Sequence, residues 1–79
     1  MNKQLAALLA EVFGMRESEV HSGLEQEDVG TWDSLKQMDL VVSLEREYGI
    51  RLEISDILQM LSVGAIERIL RTKGVNLGD

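Results

Sequence analysis

At 79 residues the chain is the size of one small domain, with room for a few packed helices and little else. Hydrophobic residues make up 44% and aromatic ones only 4%, and there is no cysteine, which excludes a disulfide framework and a thiolate metal site. A formal net charge of −6 disfavours nucleic acid and anionic membrane surfaces and favours basic proteins as partners, and no apolar run approaches the roughly 18 residues of a membrane span.

From Asn2, a candidate N-cap, residues Leu5, Leu8, Leu9, Val12 and Phe13 recur at helical spacing and predict an amphipathic packing helix that Gly14 ends. Residues 15–33 are polar, interrupted by Gly23 and Gly30, and show no sustained period. Met15, Val20, Leu24, Val29 and Trp32 are the residues expected to tie this stretch to a core. A connection so long in so small a domain is expected to be functional or pinned.

Asp33 can cap the next helix, an amphipathic run from Leu35 to Tyr48, with Ser34 at its first turn. There, unpaired backbone N–H groups and the positive end of the helix dipole suit a phosphate ester on the hydroxyl. An early helical serine is also common as a plain structural residue. Stepping about 100° per residue gathers Met38, Val41, Val42, Leu44 and Tyr48 on one side and Lys36, Asp39, Ser43, Arg46 and Glu47 on the other. Leu35 falls on the border, placed either to pack inward or to meet a visiting protein. Glu45 and Glu47 near the C-terminal end and Lys36 in the first turn run against the dipole, so stability alone does not choose this arrangement. A solvated face explains any single charge; together the acids suit docking to Lys and Arg of a partner.

Gly49 ends that helix. Ile50, Leu52 and Ile54 alternate with Arg51 and Glu53, which predicts an extended connector with its apolar side buried. Ser55 is the candidate cap of a short helix through Met60 that turns Ile57, Leu58 and Leu61 inward. Ser62 caps a last helix striped by Val63, Ile66, Ile69 and Leu70 and stopped by Gly74, beyond which the tail is expected to fray. The fold class is therefore all-α: one four-helix domain with a core over 2–73, three long helices, one short helix and a long first loop.

Other chemistries find little support. The single histidine, His21, sits in the first loop with nothing to aim it at Ser34. The acids Glu25, Glu27, Asp28 and Asp33 do not form an EF-hand, because Gly30 and Asp39 occupy the third and twelfth positions counted from Asp28; no metal site is expected. Gly14, Gly23 and Gly30 do not form a nucleotide-binding fingerprint.

The motif Asp33-Ser34-Leu35, the acidic helix Asp39 to Glu47 and the closing Tyr48-Gly49-Ile50 resemble the modification region of acyl carrier proteins. The likeness in element order extends from Leu5 to Leu70, with Gly14, Val20 and Gly30 matching that family's first loop. The resemblance implies a carrier-type four-helix bundle in which Ser34 bears phosphopantetheine taken from coenzyme A. The thiol of that arm, the only sulfhydryl such a chain would own, holds acyl groups as thioesters. It further implies that Asp33 positions the helix start, with Leu35 beside it. Leu35, Lys36, Asp39, Glu45, Arg46 and Glu47 would meet a phosphopantetheinyl transferase and an acyl or aminoacyl ligase, ketosynthase or acyltransferase with basic docking patches. The chain itself would be a non-catalytic, monomeric, cytoplasmic carrier. Lys36 and Arg46 replace acids typical of fatty-acid carriers, Ile54-Ser55 stands where a proline is common, and Trp32 precedes the motif. These departures imply a specialised stand-alone carrier whose Lys36 and Arg46 restrict which enzymes dock. The rival reading is an acidic helical adaptor that binds a partner helix and bears no covalent group.

Overall fold

The computed structural model describes residues 1–78. Its elements are α1 (Lys3–Phe13), α2 (Ser34–Tyr48), α3 (Ile54–Gln59) and α4 (Val63–Thr72), with one-turn 3₁₀ helices at Glu17–Glu19 and Gln26–Asp28 in the first loop. Among the described residues the only extended pairing is an isolated bridge between Glu25 and Ser62. This is the predicted all-helical order, three long helices and one short.

The caps follow from residue chemistry. The Asn2 side chain accepts the Leu5 amide at 2.9 Å, and α1 ends at Gly14, whose φ of 68° is the left-handed conformation open to a residue without Cβ. Ser62 caps α4 in the same way, accepting the Ala65 amide at 3.0 Å. The striped faces of α1 and α4 meet in the core, where Leu5, Leu9, Met60, Val63 and Leu70 are fully buried. Each such side chain contributes about 1.5–3 kcal/mol by leaving water.

The inner face of α2 departs from the predicted one. Leu40, Val41 and Leu44 are buried, while Met38 and Val42 are exposed. The apolar run Leu40-Val41-Val42 spans too much of the helix circumference for all three to face one partner, and Leu40, Val41 and Leu44 are the ones that join the core.

The short helix α3 also differs from expectation. Its cap is Glu53 rather than Ser55, with the Asp56 carboxylate reaching back to the Glu53 amide at 2.9 Å. Leu58 and Leu61, expected inside, are exposed, and no residue of α3 itself is fully buried. Ile57 packs partly on the core and Met60, just past the helix, fills it. In the connector Leu52 is buried and Ile50 packs on the core, whereas Ile54 points out.

The first loop is pinned, as expected, by buried Val20, Leu24 and Trp32 with Met15 and Val29 packed alongside. Two 3₁₀ turns organise it, each closed by an acid three residues on: Glu19 accepts the Arg16 amide at 2.9 Å and Asp28 accepts the Glu25 amide at 3.0 Å. Backbone bonds then fasten the loop to the α3–α4 junction, Gln26 N–H to Leu61 O at 2.9 Å, Val63 N–H to Leu24 O at 2.8 Å and Gly64 N–H to Ser22 O at 2.9 Å. The approach at Gly64 is close enough that a Cβ there would stand 3.1 Å from the Ser22 carbonyl. The tail does not fray over its whole length, because Val75 packs on the core, Leu77 is buried and its carbonyl accepts from the Asn2 side chain at 3.2 Å.

Candidate modification site

Ser34 is the first residue of α2 and is exposed. Asp33 is extended, its side chain accepts the Lys36 amide at 2.9 Å, and its carbonyl accepts the Gln37 amide at 2.8 Å. Two of the first-turn N–H groups are thereby satisfied. Those of Ser34 and Leu35 have no acceptor among the described residues, nor has the Ser34 hydroxyl a partner there. An oxygen bound to an anionic phosphate at this point would lie against free donors at the positive end of a fifteen-residue helix.

The chain entering the site is held by three side-chain bonds. Thr31 Oγ1 donates to Phe13 O at 2.8 Å, Gln26 Nε2 donates to Trp32 O at 3.1 Å, and Trp32 Nε1 donates to Gln37 Oε1 at 2.6 Å. The Trp32 ring, only 3% exposed, stacks on Phe13 with centroids 4.5 Å apart and planes tilted by 30°. Sequence reasoning placed Trp32 in the core but missed Thr31, Gln26 and Gln37. A tryptophan demands a partner for its N–H when buried, and Gln37, one turn into the helix that follows, was the available signal.

Beside Ser34 runs an open groove of about 530 Å³ lined by Gly30, Thr31, Asp33, Leu35, Lys36 and Asp39. Leu35 is 84% exposed, so of its two predicted orientations it takes the outward one. Lys36 and Asp39 form a solvent-accessible ion pair at 3.6 Å. The remaining residues expected on this surface separate from it. Glu45 accepts the Leu52 amide at 2.9 Å and so ties α2 to the connector. Glu47 accepts from Gln4 Nε2 at 2.6 Å, and with Arg46 it lines a second groove between α1 and α2. Two acids that oppose the helix dipole thus have partners within the chain. The apolar side chains exposed on α2 and α3 are Leu35, Met38, Val42, Ile54 and Leu58, the last two 75% and 70% exposed.

A family model described as a phosphopantetheine attachment site matches residues 3–70. The chain belongs to this family. It is a carrier domain of the acyl carrier protein type, and phosphopantetheine is its covalent cofactor. Among solved structures it is similar to the holo acyl carrier protein of Geobacter metallireducens, determined in solution by NMR. The two share 27% identity, the match covers 92% of this chain and 86% of the other, and the TM-score is 0.80. No curated protein sequence matches significantly. A purely non-covalent adaptor is accordingly not favoured. Carriers of this family work with phosphopantetheinyl transferases and biosynthetic enzymes, and among the described residues no helix is long and apolar enough to cross a membrane.

Proposed function

We propose that Ser34 is the residue that bears the phosphopantetheine arm, and that the chain is a non-catalytic, cytoplasmic carrier specialised for one ligase or biosynthetic cluster. The observation that carries this reading is an exposed hydroxyl at the first position of α2, with no hydrogen-bond partner among the described residues, in a turn whose backbone donors remain open. In the loading step the Ser34 oxygen bonds to the phosphorus of coenzyme A that carries pantetheine, the pyrophosphate P–O bond breaks, and the adenosine bisphosphate portion leaves. The hydroxyl proton passes to a base of the transferase. The arm then supplies a thiol on which acyl or related groups ride as thioesters. Asp33 holds the helix start, and the open amides of Ser34 and Leu35 favour the phosphodiester charge.

Partners approach across Leu35, Met38, Ile54 and Leu58, with Lys36 and Asp39 at the rim setting which enzymes fit. Glu45 and Glu47, engaged within the chain, contribute less to this contact than a reading from charge alone would give them. Incubation with coenzyme A, Mg2+ and a broad-specificity phosphopantetheinyl transferase tests the assignment by intact mass. One phosphopantetheine adduct is expected in the parent and none in Ser34→Ala; an adduct retained in Ser34→Ala refutes the assignment.

A further inference from the structure

The side chain of Gln37 makes three bonds in three directions. Its Oε1 accepts the Trp32 indole N–H at 2.6 Å, and its Nε2 donates to the carbonyls of Ile57 at 3.1 Å and Met60 at 3.2 Å. One carboxamide therefore joins the loop that delivers Ser34, the first turns of α2, and the C-terminal end of α3. Gln37 lies three residues after Ser34, less than one full turn along the helix, so it reaches α3 from the same end of α2 that displays the hydroxyl.

Helix α3 depends on such ties. It has six residues, none fully buried, and presents Ile54 and Leu58 to solvent. Besides the packing of Ile57, the Met60 anchor and the Gln26–Leu61 backbone bond just beyond it, its ties are Gln37 at its C-terminal end and the ion pair between Asp56 and Lys73 at 2.9 Å. An element with so little apolar burial takes its position from its polar bonds.

We infer that Gln37 is a positioning residue: it sets α3, with Ile54 and Leu58, at a fixed place relative to Ser34, so that a partner enzyme meets one preformed surface. The inference rests on the proposal that Ser34 takes the arm and that partners cross α2 and α3. Gln37→Glu keeps an acceptor for Trp32 but sets a carboxylate against the Ile57 and Met60 carbonyls, releasing α3. Gln37→Met removes both of those bonds without adding charge, and the Trp32 bond with them.

Steady-state kinetics of phosphopantetheinylation, with the carrier as varied substrate and a broad-specificity transferase with coenzyme A and Mg2+, test this. Gln37→Glu is expected to raise KM about fivefold to tenfold and to leave kcat within about twofold, because binding is weakened while the Ser34 hydroxyl is untouched. Gln37→Met is expected to act in the same direction. Because Gln37 works through α3, its effect on KM must be smaller in the Leu58→Ser background, where part of the α3 contact has already been removed, than in the parent. An unchanged KM in both Gln37 variants, or effects that simply add in the Leu58→Ser background, overturns the inference while leaving the assignment of Ser34 intact. A parent protein that takes no arm from any transferase overturns both, and that result is distinguished by the absence of any mass shift.

Discussion

The bundle formed by α1, α4 and the inner side of α2 differs in kind from the region around α3. The first is held by apolar burial, with Leu5, Leu9, Leu40 and Leu70 shut away from water and the aromatic pair Phe13 and Trp32 stacked beside them. The second turns Ile54, Leu58 and Leu61 outward, and beyond the inward Ile57 and Met60 it is fastened by Gln37, the Asp56–Lys73 pair and the Glu53–Asp56 cap. In a domain this small, apolar surface left in water is stability forgone. Leu35, Ile54 and Leu58 remain exposed, and the proposed docking of partner enzymes gives that surface a use that the fold of the chain itself does not.

The contrast can be tested residue by residue, beginning where it is strongest. Leu9→Ala in the bundle should cost about 2–5 kcal/mol in denaturant unfolding, a large part of the total stability of such a domain. Trp32→Phe keeps the ring stack but leaves Gln37 Oε1 without its donor, which should cost about 1–3 kcal/mol. Asn2→Ala removes both the α1 cap and the tie to the tail at Leu77, for about 0.5–2 kcal/mol in the same assay. Leu58→Ser, by contrast, should change stability by no more than about 0.5 kcal/mol while raising the KM for loading.

The smallest effect concerns pH. The Lys73 ammonium bonded to Asp56, aided by the Glu53 amide, holds the Asp56 carboxyl below its ordinary value of 3.8. A carboxylate whose pKa is lowered on folding stabilises the fold above the unfolded value and loses that contribution only as pH falls through the folded one. Asp56→Asn should therefore melt at a slightly lower temperature than the parent at neutral pH. The two melting curves should converge in acid below pH 3.8. A gap that persists unchanged into acid would assign the tether to something other than charge.

The same division governs what the sequence makes legible. Apolar periodicity and cap chemistry are local signals, so α1, α4, their caps at Asn2 and Ser62, and Ser34 after the Asp33 cap can all be read before any coordinates. Polar ties between distant residues are not local. The carbonyls that receive Gln37 lie twenty and twenty-three residues away, and nothing at Ile57 or Met60 advertises them. Leu58 and Leu61 read as core because α3 has helical spacing on both sides, and only the packing of its neighbours decides which side is wet. The contiguous Leu40-Val41-Val42 run hid the buried Leu40 for a related reason, since adjacent apolar residues blur the phase of the wheel. Leu77 was passed over because terminal residues are expected to fray, whereas Asn2 reaches across the fold to hold it.

Native-state hydrogen exchange tests most directly whether the surface near Ser34 is held differently from the bundle that carries it. The amides of Ile57 and Met60 should exchange through a local opening of α3 well below the free energy of global unfolding, and faster still in Gln37→Glu. Those of Ile66 and Leu70 in α4 should exchange only with global unfolding in both proteins. Equal protection of α3 and α4, unaffected by Gln37→Glu, would contradict the account.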